Sequence, residues 1–334
     1  MAINKSYLTS SSWYNPLLFR RPLRLFEICD LELCPNIIRA MCQSILTAEW
    51  TACLPIIQKT SPAEMAASII LEAIGKLDTR DARISIVDFC SGAGGPVPTI
   101  ERIVNQKRME RGQQPINFML TDIKPHIEAW TDAASKSENL TFISQPVDAT
   151  NPPQVVISNS ETGASTPTRI FRLYCLAFHH FDDRLARKVV ASTLATADGF
   201  AIIELQDRRL SSILLMFLHF FLVLVTGVLW FWRSPVQLLF TYVIPVMPFI
   251  LAFDGAVSSL RTREFGEVLG LLDSSSSVEM RAGQKLGQAS AVVELKDGAE
   301  WRFEADRKQH SSPFGYASWI TGIRMIVPPR STGN

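Results

Sequence analysis

Two clusters in the 334-residue sequence carry side chains able to do chemistry, and each follows an apolar run of strand length. The first is Asp88-Phe89-Cys90-Ser91-Gly92-Ala93-Gly94-Gly95, and the second is Phe178-His179-His180-Phe181. Glycine lets the backbone take positive φ and lets a ligand approach bare amides, and a helix beginning near Thr99 favours polar or anionic groups at its amino end. That is the make-up of a nucleotide-type site. A neutral histidine near pH 7 can take a proton from an acceptor hydroxyl, and ligands of open parallel sheets bind outside the carboxyl ends of strands, where this His pair emerges. His180 is the first choice for such a base and His179 the second. The alternative for either ring is a packed histidine bonded to a backbone carbonyl.

The elements that must position these residues read as alternating strands and helices. Residues 84–89 suit a central parallel strand, and 116–120 form a second strand ending in Thr121-Asp122. An acid at the end of the second strand of a doubly wound sheet can accept both hydroxyls of a ribose, so Asp122 is the ribose candidate, with a helix cap as the alternative. Its interval from the glycine turn exceeds the usual ~20 residues, and the charged insert at 108–113 accounts for the excess. Residues 140–143, 169–177 and 199–205 supply three further strands, with a helix at 183–195. Glu204, near the end of the fifth strand, could orient a histidine, bind an acceptor or simply cap. Ser61-Pro62-Ala63-Glu64 signals a helix start whose Met65, Ile69, Ile70, Ala73, Ile74 and Leu77 pack on the sheet. Residues 107–115 and 151–168 read as loops, and 26–57 as a helical pre-domain.

Asp88-x-Cys90-Ser91-Gly92-x-Gly94-Gly95-Pro96 resembles motif I of the class I S-adenosylmethionine (SAM)-dependent methyltransferases. Cys90 stands where the commonest form has its first glycine, and marks a branch of the superfamily. Phe178-His179-His180-Phe181 is similar to the same branch, as are Phe26-Glu27-x-x-Asp30 ahead of a helix and Asp254-Gly255-x-Val257-Ser258-x-Leu260-Arg261. The resemblance spans roughly residues 26–328. It implies SAM as cofactor, held by Asp88, Cys90, Ser91, Gly92, Gly94, Gly95, Asp122, Ile123, Asp148 and Ala149, with Asp148 in the loop that meets the adenine amino group. It implies His180, His179 and Glu204 as catalytic residues. The implied fold is α/β, a doubly wound seven-stranded Rossmann-like sheet closed by an N-terminal helical lid, with a helix at 264–272 and last strands at 299–305 and 320–327.

Lys and Arg number 33 against 32 Asp and Glu, so no global field attracts nucleic acid, and that partner is not expected. The six cysteines show neither C-x-x-C pairs nor zinc spacing, which reads as reduced thiols and no metal site. A mean hydropathy of +0.13 is high for a soluble enzyme, and its source is local. Residues 213–232 and 236–253 are two runs without formal charge, joined at Arg233-Ser234-Pro235 and long enough for a transmembrane helix hairpin. Pro245 and Pro248 interrupt the second. Arg208, Arg209, Arg261 and Arg263 flank the pair and place the flanks on the cytoplasmic side. A pair of buried core helices or a dimer face is the alternative. The first residues lack an apolar core of signal-peptide length. Trp13, Tyr14, Leu17, Leu18 and Phe19 beside Arg20, Arg21 and Arg24 suit a membrane-interface arm or an ordinary lid.

The expected organisation is an arm and lid at 1–60, a SAM-binding core at 61–207, a membrane hairpin at 208–260, and a return to the core at 261–334. The expected protein is an integral membrane SAM-dependent methyltransferase, its catalytic domain facing the cytosol, in the endoplasmic reticulum if eukaryotic. Its acceptor would be a lipophilic small molecule, a secondary metabolite or lipid-like compound, methylated on oxygen. A SAM-retaining cyclase or isomerase and a catalytically dead membrane scaffold stay open as alternatives.

Overall fold

Alternation of apolar strands with amphipathic helices builds an α/β domain in the computed structural model, which describes residues 15–77, 82–154, 156, 168–272, 276–282 and 288–325. Strands β1 (Arg83–Phe89), β2 (Asn117–Thr121), β3 (Leu140–Phe142), β4 (Thr168–Cys175) and β5 (Gly199–Glu204) pair in parallel. Strands β6 (Ser277–Ala282), β7 (Ala289–Glu294), β8 (Glu300–Ser311) and β9 (Gly315–Met325) form an antiparallel set, joined to β5 through β9. The order is β3-β2-β1-β4-β5-β9-β8-β7-β6. Chain order reverses between β1 and β4, so the connections after these strands diverge and leave a crevice at their carboxyl ends.

Among the described residues the sheet therefore has nine strands where seven were expected. The added pair is β6, whose sequence alternates polar and apolar residues, and β7, whose Ala291 and Val293 are buried in the core. Their short apolar residues are too few to signal a strand without the partner that covers them. Likewise β8 continues past 305 through a charged stretch to Ser311, because the backbone of β9 pairs with it whatever its side chains. Residues 326 and 327 of the expected last strand lie outside the described residues, as do Trp13, Tyr14 and most of the loop expected at 151–168.

Helices α1 (Asn36–Thr51), α2 (Pro62–Ile74), α3 (Val97–Glu110), α4 (Ile127–Ala134) and α5 (Asp183–Thr196) precede the apolar segment. The start of α2 is a reciprocal cap: Ser61 Oγ accepts from Glu64 N at 3.2 Å and Glu64 Oε2 accepts from Ser61 N at 2.8 Å. Helix α3 runs to Glu110, through part of the stretch read as loop, and α4 has no counterpart in the sequence reading. Ile70, Ile74, Ile100 and Val104 pack against Ile86, Phe118 and Phe171, while Val189 and Val190 of α5 cover Phe200 and Ile202 on the other face. Burying each such side chain contributes about 1.5–3 kcal/mol.

Among the described residues, the two apolar runs form one straight helix followed by one bent pair. Helix α6 (Leu210–Phe231) is the one described helix long and apolar enough to cross a bilayer. The second run is broken at Ile244-Pro245 into Pro235–Val243 and α7 (Val246–Arg261), bent by 74°. Proline at 245 lacks the amide that would continue the first piece. The flanking arginines serve the fold: Arg208 pairs with Glu267 at 2.7 Å, Arg209 with Glu264 at 3.5 Å, Arg261 with Glu27 at 2.9 Å and Arg263 with Asp183 at 2.9 Å. All four are buried. After α7, a short helix α8 (Phe265–Leu269) leads back to the sheet.

Candidate active site

The end of β1 and the turn after it hold the first half of the site. Cys90, Gly92, Gly94 and Gly95 have φ of 60°, 52°, 99° and 46°. Gly94 lies where only glycine is unstrained, and Cys90 holds the left-handed region at some cost. Ser91 stitches β1 to β2: its Oγ accepts from Thr121 N and donates to the Asp88 carbonyl, each at 3.1 Å. Asp122 Oδ2 accepts from Gly92 N and its Oδ1 from Lys124 N, both at 2.8 Å. The ribose candidate therefore also caps the next turn and ties the two loops together. Trp130 Nε1 donates to the Gly92 carbonyl at 2.9 Å, which ties α4 to the turn.

Asp88 is buried, and its Oδ1 has no hydrogen-bond partner. Burial, reinforced by the nearby charge of Asp122 and opposed by Ser91, pushes its carboxyl up to about 8. Burial, with the charges of Asp122 and Asp88, also pushes the Cys90 thiol well above its ordinary range, so it is no nucleophile at neutral pH.

The second half follows β4. Leu176, at φ 49°, turns the chain into a single helical turn, Phe178–His180. Arg263 holds that turn by donating to the carbonyls of Phe178 at 3.3 Å and Phe181 at 2.7 Å. His179 is buried, and Glu204 fixes it twice: the carboxylate lies 2.8 Å from Nδ1 and accepts from the backbone N at 3.2 Å. Glu204 thus stands behind the histidine. His180 is more open, with 37 % of its side chain exposed, and its Nδ1 lies 3.2 Å from Asp30 Oδ2. Burial pulls the His180 pKa down, but the Asp30 hydrogen bond and the Glu27 charge outweigh it and raise it above the ordinary value. For Asp30 burial pushes upward, yet the bonds from His180 and Arg261 hold it at about 2.

Glu27 and Asp30 were not singled out as site residues by sequence reasoning, although Phe26-Glu27-x-x-Asp30 contains both. The fold shows what that segment meets. Asp254 accepts from the backbone N of Ile28 at 2.6 Å and Cys29 at 3.0 Å, and Arg261 Nη1 donates to Glu27 at 2.9 Å and Asp30 at 3.1 Å. The segment before α1 and the Asp254-to-Arg261 segment of α7 thus clamp each other beside the histidines.

One cavity of ≈ 670 Å³ joins the halves, a size suited to a small organic molecule. Asp88, Cys90, Ser91, Gly92, Gly94, Gly95, Asp122 and Ile123 line it from one side and His179 and His180 from the other. Leu46 and Trp50 of α1, Leu215, Met216 and Leu222 of α6, and Leu251 of α7 line the remainder. Asp148 and Ala149 are not brought in. Asp148 is exposed and caps its own turn through Thr150 N at 2.8 Å, and the Ala149 carbonyl accepts from Arg172 at 3.2 Å.

No protein-family model matches the chain, and no curated protein sequence does. Similar solved structures include the CMeT domain of the citrinin polyketide synthase (TM-score 0.42, 10% identity, 84% of this chain and 56% of that chain covered). An O-methyltransferase family protein from Burkholderia thailandensis matches with a TM-score of 0.33 and 11% identity over 79% of this chain and 58% of its own. Magnesium protoporphyrin IX methyltransferase from Synechocystis PCC 6803, with bound SAM, matches with a TM-score of 0.34 and 11% identity over 88% of this chain and 85% of its own. The chain spans little more than half the length of the first two, 56% and 58%.

Proposed function

We propose that the chain is a SAM-dependent methyltransferase that modifies a lipophilic small molecule on oxygen at a membrane surface. One observation carries the reading: the positive-φ glycine turn with Asp122 and the His179-Glu204 pair face each other across one cavity at the switch point of the sheet. The residues present fit the cofactor. Asp88 Oδ1 is a buried acceptor without a donor, Asp122 offers a carboxylate at the cavity wall, and the glycines leave backbone open to close approach.

When bound, SAM would supply an electrophilic methyl group on a sulfonium, held by the glycine turn and Asp122. The chain holds the acceptor and removes its proton. His179 donates its Nδ1–H to Glu204, which fixes the tautomer and leaves the Nε2 lone pair toward Glu27 and the cavity. Glu204 holds His179 at both its ring and its backbone N, which favours His179 over His180 as the proton acceptor. Leu46, Trp50, Leu215, Met216, Leu222 and Leu251 give the acceptor an apolar surround.

Membrane attachment is supported by the inverted faces of α6. Its polar residues Ser211, Ser212, His219 and Thr226 are buried, whereas Leu214, Phe217, Leu218, Phe221, Val225, Val228 and Leu229 form an exposed stripe at helical spacing. A stripe of large apolar side chains facing outward suits lipid, with the helix lying in the interface. The test is calorimetry of detergent-solubilised protein with SAM and S-adenosylhomocysteine, followed by incubation of a lipid extract with methyl-labelled SAM. Binding of neither compound refutes the cofactor. A labelled product heavier by one CH₂ supports transfer, and conversion without mass change supports isomerisation instead.

A further inference from the structure

The sequence has no zinc-spaced set of ligands, yet the fold brings together three side chains whose ligand atoms converge. Glu27, His179 and His180 each place one ligand atom within 4.8 Å of the others. His179 Nε2 lies 3.7 Å from Glu27 Oε1, and His180 Nε2 lies 3.9 Å from Glu27 Oε2. Both separations are too long for hydrogen bonds. Among the described residues, neither Nε2 atom nor Glu27 Oε2 has a hydrogen-bond partner, although Glu27 and His179 are buried.

The opposite nitrogen of each ring is held by its own carboxylate, Glu204 at 2.8 Å for His179 and Asp30 at 3.2 Å for His180. Metal-ligating histidines are built this way: the outer carboxylate fixes the tautomer, aims the other nitrogen and raises its basicity. Arg261 and Ser258 bond Glu27 through Oε1, at 2.9 Å and 3.0 Å, which fixes the carboxylate while leaving Oε2 free. Arg261 offsets only part of the negative charge of Glu27, Asp30 and Glu204, so a cation between the free atoms is electrostatically favoured.

We propose that Glu27, His179 and His180 bind one divalent transition-metal ion. Two imidazoles and one carboxylate suit zinc, cobalt or iron(II), whereas magnesium and calcium prefer oxygen ligands throughout. A tetrahedral ion with ligands at ~2.0–2.1 Å spaces them by about 3.4 Å, so small side-chain rotations close the set. The remaining coordination position opens into the cavity that these three residues line. Ion binding stands on this geometry alone. Its role rests on the reading above that an acceptor oxygen is methylated here: the ion would favour loss of that oxygen's proton at neutral pH, and the use of His179 as a base then belongs to the ion-free chain.

The test uses the full chain, stripped with chelator and titrated with Co²⁺, which reports coordination through its visible absorption, and with Zn²⁺ in competition. The expected result is one equivalent bound, displaced by Zn²⁺. Glu27→Gln and His180→Ala should each weaken binding at least tenfold, Glu204→Gln should weaken it by about 10–100-fold, and Cys29→Ser should leave it unchanged. Thermal melts show which variants are folded, and Glu27→Asp, which keeps the carboxylate, should retain the ion if Glu27→Gln is unstable. The proposal is overturned if the wild-type chain takes up no ion, or if folded Glu27→Gln and His180→Ala bind as tightly as wild type. Calorimetry with SAM on the stripped protein is independent, so loss of either reading leaves the other standing.

Discussion

Replacing Asp88 by Asn should change how stability depends on pH. The folded protein raises this carboxyl from its ordinary 3.8 to about 8, chiefly by burial. The native state then binds the proton more tightly than the unfolded chain, so the stability it contributes is complete below 3.8 and is lost as pH rises to about 8. Within that window one group changes stability by about 1.36 kcal/mol per pH unit, or about 3 kcal/mol between pH 5.5 and 7.5. A chain of 334 residues has an unfolding entropy of roughly 0.7 kcal/mol/K, which converts this to about 4 °C in Tm. Scanning calorimetry of wild type and Asp88→Asn at the two pH values isolates the effect, since other titrating groups cancel in the difference. The wild-type Tm should fall by about 4 °C more than that of the variant. Parallel Tm-against-pH curves would show that Asp88 is ionised in the folded protein and would refute the argument from its orphaned oxygen.

Gly94→Val should fold but lose SAM binding, because φ of 99° is closed to a β-branched residue and the turn must rearrange; SAM titration calorimetry that matches wild type would contradict this. His179→Ala should keep SAM binding and cut single-turnover methyl transfer by ~10²–10⁴-fold, with a smaller loss for His180→Ala; equal rates for both variants and the parent would remove the histidines from the chemical step. Arg261→Met should lower stability by about 3–5 kcal/mol, because it leaves buried Glu27 uncompensated, and a melt within 1 °C of wild type would count against the clamp. Phe217→Glu combined with Phe221→Glu should abolish co-flotation with liposomes while SAM binding persists, and retained flotation would remove the α6 stripe from the membrane contact.

Short-range physics was readable directly. The reciprocal Ser61-Glu64 cap, the glycine turn after β1, and the emergence of Asp122 and the His pair at strand ends all depend on neighbours in the chain, so the sequence alone determined them. What sequence left open was decided by partners that only the fold supplies. Glu27 became a site residue because Asp254 and Arg261 of α7 bond the segment that carries it, and nothing local marks that meeting. We propose His179 ahead of His180 because β5 places Glu204 behind it, whereas His180 faces the more open Asp30. The strands β6 and β7 exist through pairing with β8, and α6 buries its polar residues because α1 and α7 offer partners such as Glu49, 2.6 Å from His219. Hydropathy measures how apolar a run is, and only tertiary packing decides which of its faces is covered.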